Sequence, residues 1–410
     1  MGKYCIEDTI INGGNFMFEN DSKVALHELN KSPLFAISLA SKELAHSNFW
    51  KWLLDIEDSE GRHPFIKVFK PDFYERGKEC TFLKVEREKF NFDLYITYKD
   101  EKDRSRSLVI ENKIKAIADK SQLIRYQNKR THGFEFDEGI LTGLIENKSI
   151  GIGAGNLAGW TFLSYADMAE NIKSILEENL DNEYGIFISQ YVKDLNNIQF
   201  LIDEAFELDD NKDKYVYLDD YLSEIRFSDV FLKLKATEFA NKIKDEIDTH
   251  VCDLNLDMQG WSGPYGDVSF SNGTPIITFV YREMKPDIKE SEKYNLNTKS
   301  EYGRIGVQIQ RNQFRIYGGS SSSVRKNSKR TFKKLVDVGY LCSTISEFKE
   351  NLNKENKESG TKMEKYCSYG NHLYQYWNIS DQSYDYLIDE TIKQLKIAKG
   401  CIEKGLSFKE

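Results

Sequence analysis

The chain has 410 residues and a formal net charge of -9. That length exceeds one ordinary hydrophobic core and implies two or three domains, which an apolar content of 40% is sufficient to pack. The acidic total excludes a protein coated in positive charge, although local basic surfaces remain compatible with it, and no apolar run reaches the roughly eighteen residues of a transmembrane helix.

The first residues, Met1 to Asp8, lack the apolar stretch of a signal peptide. Ile6 stands where a myristoylation start at Gly2 would need Ser or Thr. Cysteines at 5, 80, 252, 342, 367 and 401 include no Cys-x-x-Cys pair, and Cys367 with His372 has no second pair to complete a zinc site. Scattered reduced thiols and a cytoplasmic location are the expectation.

In chain order, Pro33 to about Asp55 has helical spacing, with Pro33 suited to a first turn and Ser47 placed to N-cap a second short helix. Residues 66 to 75 are expected to be helical. Three strands are predicted next, at Thr81 to Arg87, Phe92 to Tyr98 and Leu108 to Ile114, the last two joined by a hairpin loop over Lys99 to Arg106. A helix follows from Asp119 or Ser121 to about Arg130, then strands at Gly139 to Ile145 and Trp160 to Ser164, and a helix from Tyr165 to Leu176. This order predicts an α/β layer fold with a mixed sheet.

Tyr184 to Glu246 is mostly helical in pattern. Beyond Cys252 the character changes: Gly260 to Gly266 is turn-rich, and strands are predicted at Val268 to Phe270, Ile276 to Tyr281, Ile305 to Ile309 and Phe314 to Tyr317. The expected organisation is a first domain over 1–180, a helical connecting region over 181–250 and a C-terminal α+β module over 251–410. Asn351 to Lys365 is a mixed-charge stretch that suits helix or loop.

Chemistry concentrates on two of these strands. Strand side chains have a period of two, so Glu111 and Lys113 share a face, and Asp93 belongs to the preceding strand. Two hard oxygen ligands beside an ammonium are the minimum equipment for metal-assisted phosphodiester cleavage. Asp is depleted in strands, so Asp93 within an apolar run calls for a reason such as a metal. Gln122 and Tyr126, four apart on the following helix, can reach back to the same site. Glu43 lies among apolar helix residues, where a carboxylate needs a partner, although an ordinary surface position suits it equally. Between Asn112 and Thr131, Lys113, Lys115, Lys120, Arg125, Lys129 and Arg130 face the single acid Asp119, which fits a phosphate-tracking surface or a solvated helix.

Taken together, these residues resemble the PD-(D/E)XK nuclease superfamily over roughly residues 30 to 175. The resemblance is to a bacterial branch with Glu43-Leu44-Ala45-His46-Ser47, Leu53-Leu54-Asp55, the core Glu111-Asn112-Lys113, and Trp160 followed by Ser164-Tyr165-Ala166-Asp167. Gln122 and Tyr126 are similar to the Gln-x-x-x-Tyr motif of RecB-like members. No Pro precedes Asp93; Phe92 stands there. The resemblance implies a restriction-endonuclease-like core whose central mixed sheet is flanked by helices, followed by a helical segment and the C-terminal module.

It further implies a Mg²⁺-dependent nuclease, with Mn²⁺ able to substitute, acting on nucleic acid and expected to prefer DNA. Asp93, Glu111 and the Asn112 backbone carbonyl would bind the metal, with Glu43 as a further ligand. Lys113, Gln122 and Tyr126 complete the catalytic set, and Lys115, Arg125 and Lys129 would hold the nucleic acid. A bacterial cytoplasmic setting, with a homo-oligomer or defence-system partner and no membrane association, goes with this reading. The alternatives are an inactive nucleic-acid-binding or protein-interaction module on the same fold, or a chain whose working part is residues 250–410, as a protein-interaction or target-recognition module.

Two further patterns carry less. Gly153-Ala154-Gly155-Asn156-Leu157-Ala158 matches a loose dinucleotide pattern, but it lacks the strand before it and the helix after it, which predicts a flexible loop. The basic run Arg325 to Lys334 fits a DNA-contacting segment or a solvated surface.

Overall fold

A computed structural model describes residues 15–37, 43–75, 80–114, 120–129, 133–178, 184–206, 215, 222–271, 274–286, 301–319, 323–355, 357, 366–369, 372–380 and 382–409. Its first sheet has five strands in chain order: β1 (Thr81–Arg87), β2 (Leu94–Lys99), β3 (Ser105–Lys113), β4 (Glu138–Gly143) and β5 (Trp160–Ser164). β1 with β2 and β2 with β3 pair antiparallel, whereas β3 with β4 and β4 with β5 pair parallel. The sheet is therefore mixed. The β2–β3 turn is closed by Asp100, whose carboxylate accepts the backbone N–H groups of Lys102 and Arg104, each at 3.0 Å.

Helices cover both faces. On one side Leu94, Ile96, Leu108, Ile110 and Ile140 join a core with α1 (Asn15–Lys31), α3 (Glu43–Leu54), α5 (Tyr165–Glu178) and α6 (Gly185–Phe206); α2 (Pro33–Ala36) is a single short turn. On the other, Tyr95, Val109, Leu141 and Trp160 pack with Leu123, Ile124 and Tyr126 of α4 (Lys120–Gln127). The period of two in β2 and β3 feeds these two cores separately.

Several predicted elements shift. The helix expected over 33–55 is described as α2 and α3, with 38–42 between them outside the described residues. Pro33 does open α2, N-capped by Ser32 Oγ. Ser47 is no N-cap: it sits inside α3 and its hydroxyl donates to the Glu43 carbonyl at 3.0 Å. Residues 66–75 lie in two 3-10 turns, Pro64–Val68 and Pro71–Tyr74, each opened by a proline. Asp93 lies one residue before β2, because Glu88, Phe90 and Asn91 take positive φ angles of 55°, 57° and 64° and bend the chain into the strand.

The second sheet is antiparallel, in the order β10 (Cys367–Tyr369), β11 (His372–Asn378), β9 (Gln313–Gly319), β8 (Glu301–Gln310), β7 (Thr274–Met284) and β6 (Trp261–Ser271). The turn-rich segment Gly260 to Gly266 largely forms the start of β6, which a bulge between Ser262 and Tyr265 lets keep pairing. β10 and β11 carry no sequence prediction: at 367–378 Cys, His and Asn interrupt the aromatic alternation. The helices Ser323–Asp337, Ile345–Lys354 and Tyr384–Glu403 and the distal part of α7 (Ser228–Thr249) share one core with this sheet. α7 also reaches the first core through Val230, Phe231 and Leu234, and its Asn241 side chain binds the backbone of Glu146 and Lys148 at 2.8 and 2.9 Å. Among the described residues no helix is long and apolar enough to cross a membrane.

The parallel half of the first sheet depends on one close approach. A Cβ on Gly139 would lie 2.7 Å from two ring carbons of the fully buried Trp160. Gly139→Ala is expected to lower the unfolding free energy by about 2 kcal/mol, measured by urea denaturation, because it overpacks the β4–β5 contact.

Candidate active site

The site forms where β3 leaves the apolar sheet. The β2–β3 ladder ends at the pair Leu94 and Ile110, so one step further Asp93 stands across from Glu111. Residues directly opposite share a face, which brings Asp93, Glu111 and Lys113 together on the α4 side. Glu111 is 2% exposed. Its Oε1 accepts from Lys113 Nζ at 2.6 Å and from Gln122 Nε2 at 2.8 Å. Gln122 Nε2 also donates to Tyr126 OH at 2.8 Å, and Tyr126 OH donates to the Asn91 carbonyl at 3.1 Å. The two α4 residues thus tie the Glu111 carboxylate to the loop that delivers Asp93.

Asp93 Oδ2 accepts the Asn112 backbone N–H at 2.7 Å. The Asn112 side chain points to the opposite face, where it is fully buried. There Nδ2 donates to the Glu43 carbonyl at 3.0 Å, and Oδ1 accepts from Tyr165 OH at 2.5 Å. This residue clasps the start of α3 and the start of α5 to β3, and places half-buried Glu43 beside the cluster. Behind it, Tyr191 OH accepts from Trp50 Nε1 at 2.8 Å and lies 2.9 Å from His46 Nδ1. From sequence, Asn112 has only a backbone role, and His46 and Tyr165 have no roles of their own. The available signal is a polar residue on the core-facing side of an apolar strand, which must be hydrogen-bonded.

Electrostatics in the pocket is one-sided. Burial raises the Glu111 carboxyl to about 7 in spite of Lys113, and the charges of Asp93 and Glu43 push the same way. Asp93 is raised by burial as well, against the Asn112 N–H. Burial alone would lower the Lys113 ammonium, yet Glu111, Glu43 and Asp93 hold it above its usual value. Burial is the main cause for the two carboxyls, and the surplus of carboxylates over one ammonium adds to it and raises Lys113, so the pocket favours added positive charge.

Glu111 Oε2 is buried and, among the described residues, meets no hydrogen-bond donor. An orphaned anionic oxygen beside a second carboxylate fits a hard divalent cation. Among the described residues no three His, Cys, Asp or Glu side chains are gathered closely enough to hold a metal by themselves. The matching donor set is Asp93, Glu111 and the Asn112 carbonyl, completed by water.

The basic residues divide. Arg125 is exposed on α4, with its guanidinium 5.9 Å from the Tyr126 ring centre. Lys129 Nζ is instead held by the Phe90 carbonyl and lies 5.4 Å from the Phe92 ring centre, so it secures the loop before Asp93. Lys115, Asp119 and Arg130 lie outside the described residues. The glycine-rich segment holds a 3-10 turn, Gly155–Leu157, between β4 and β5, not a strand-to-helix phosphate loop.

Residues 33–204 match the family model of the PD-(D/E)XK nuclease superfamily. The match takes in the whole first sheet with α3 to α5 and most of α6, and stops before the second sheet. No curated protein and no solved structure matches the chain. A mixed five-stranded sheet flanked by helices, together with this match, is consistent with a restriction-endonuclease-like α/β fold.

The raised Glu111 carboxyl has a pH consequence. Its pKa is about 7 when folded against 4.5 as the reference value, so its contribution to stability is full below pH 4.5 and is lost as pH rises through about 7. In EDTA, Glu111→Gln is expected to stabilise the protein by roughly 1–3 kcal/mol at pH 8 and by almost nothing near pH 4.5. Urea denaturation at both pH values reads the difference; an equal effect at both would mean that the buried charge is not its cause.

Proposed function

We propose that the first-sheet region is a divalent-metal-dependent nuclease that hydrolyses phosphodiester bonds in DNA. The observation that carries the reading is the buried, unsatisfied Oε2 of Glu111, whose other carboxylate oxygen is held by Lys113 and Gln122, at the strand position across from Asp93. The family match supports nuclease chemistry, and DNA is the substrate we assign.

In this reading Asp93, Glu111 and the Asn112 carbonyl would hold Mg²⁺, or Mn²⁺ in its place, with Glu43 supporting a coordinated water. The cation would supply the Lewis acidity that polarises a phosphoryl oxygen and eases deprotonation of water. Lys113 keeps its proton at Nζ, as its carboxylate neighbours dictate, so it offsets negative charge developing on the phosphate and orients the attacking water. Gln122 fixes one Glu111 oxygen and so leaves the other to the cation, while Tyr126 fixes Gln122 and the Asn91 loop. Arg125 lies outside on α4, where it can meet the DNA backbone.

Lys113→Ala is expected to reduce Mg²⁺-dependent DNA cleavage by at least about 100-fold in protein that circular dichroism shows to be folded, with DNA affinity in EDTA near that of the parent. Cleavage that persists in the variant, or that proceeds equally in EDTA, removes the proposal. Arg125→Ala is expected to weaken binding and flatten its salt dependence while leaving the cleavage rate at saturating DNA unchanged.

A further inference from the structure

The second sheet carries a polar face of its own. Its register aligns Thr278, Gln308, Arg315 and Tyr376 in one row across β7, β8, β9 and β11. The next row holds Ile276, Gln310, Gln313 and Asn378. The described helices touching this sheet pack on the other face, with Phe279, Val307, Phe314 and Trp377.

Arg315 is the anomaly. It is 8% exposed, and three glutamine Oε1 atoms accept from its guanidinium: Gln308 at 3.0 Å, Gln313 at 2.7 and 2.9 Å, and Gln310. The ring centre of Tyr374 lies 4.5 Å from it. Burial lowers its pKa, and the groups that act on it most, Tyr374, Cys367, Tyr376 and Arg311, include no carboxylate. Glu301, on the same face, is already shared by Arg282 and Arg304, at 2.7 Å each. Burying a cation without a counter-charge is costly, and neutral acceptors repay only part of that cost.

The arrangement points its surplus outward. With their Oε1 atoms turned to the guanidinium, Gln310 and Gln313 present amide N–H groups away from it. Exposed Arg311, at the β8–β9 turn, adds a second cation beside them. Partly exposed Tyr374 and Tyr376 stand next to this donor set, their ring centres 6.0 Å apart. A positive patch in a chain of net charge -9, with aromatic faces alongside, has the composition of a site for single strands: amides and arginines for phosphate, rings for unpaired bases.

We propose that this face of the second sheet, centred on Arg315 with Gln310, Gln313, Arg311 and Tyr376, binds single-stranded nucleic acid, phosphate against the donors and a base on the Tyr376 ring. The site lies on a different sheet from Asp93, Glu111 and Lys113 and does not depend on cleavage.

The test is fluorescence anisotropy of a labelled oligothymidylate with the full chain in EDTA, where cleavage plays no part. Arg315→Gln is expected to weaken binding about 10-fold and Tyr376→Ala about 5-fold, and Arg311→Gln to flatten the salt dependence. Arg315 is buried, so each variant is first checked by thermal melting; Tyr376→Ala and Arg311→Gln carry the test if Arg315→Gln does not fold. Arg125→Ala serves as the control for binding at the first sheet. The proposal is overturned if the parent does not bind, if the folded variants bind like the parent, or if polyglutamate displaces the oligonucleotide at equal concentration, which would mark an acidic peptide as the occupant.

Discussion

The charge imbalance at the end of β3 is the constraint around which the first region is arranged. Glu111 is buried against the Lys113 ammonium, while Asp93 and Glu43 add negative charge to the same pocket. Such a cluster is unfavourable to fold, since desolvated like charges raise each other's pKa and gain little from a single ammonium. It persists because the neighbouring elements leave it no room to relax. The β2–β3 register puts Asp93 across from Glu111, and the strand period puts Lys113 beside it and Asn112 behind it.

The holding devices lie on both faces. Behind the sheet, the Asn112 amide gathers the Glu43 carbonyl and the Tyr165 hydroxyl, so α3, β3 and α5 converge on one residue. In front, Gln122 and Tyr126 connect Glu111 to the Asn91 carbonyl, and Lys129 holds the Phe90 carbonyl. That loop includes three non-glycine residues at positive φ, a conformation that costs of order 1 kcal/mol or more at each position. The hydrogen bonds from α4 offset this cost and fix the approach of Asp93. The same side chains therefore serve local folding and the site.

Much of this was legible in the sequence because its signals are local. Alternation in 92–98 and 108–114 gave the hairpin and the shared face of Glu111 and Lys113, and the i, i+4 spacing of Gln122 and Tyr126 placed them on one side of a helix. What sequence could not supply is long-range. The start of β2 depends on the positive-φ turn at Glu88 to Asn91, which no Gly or Pro announces. Lys129 counts as one more cation in a basic stretch until the fold brings Phe90 to it. The role of the Asn112 side chain needs residues 43 and 165, far apart in the chain. In the second sheet, the first half of β6 was hidden by glycines that pair through a bulge, leaving only Val268 to Phe270 legible, and Arg315 acquires its glutamine shell only through the register of β8 and β9.

The two sheets place charge in opposite ways, an excess of carboxylates in the first and, among the described residues, an arginine held by glutamines in the second. Whether a metal ion matches the first excess decides the functional reading of the whole region. Calorimetric titration of the full chain with Mn²⁺ tests this most directly, beside Asp93→Asn and Glu111→Gln variants shown to be folded. A saturable Mn²⁺ site is predicted in the parent, weakened about 10-fold or more in each variant. Mn²⁺ affinity unchanged by either substitution would contradict a metal centre at Asp93 and Glu111.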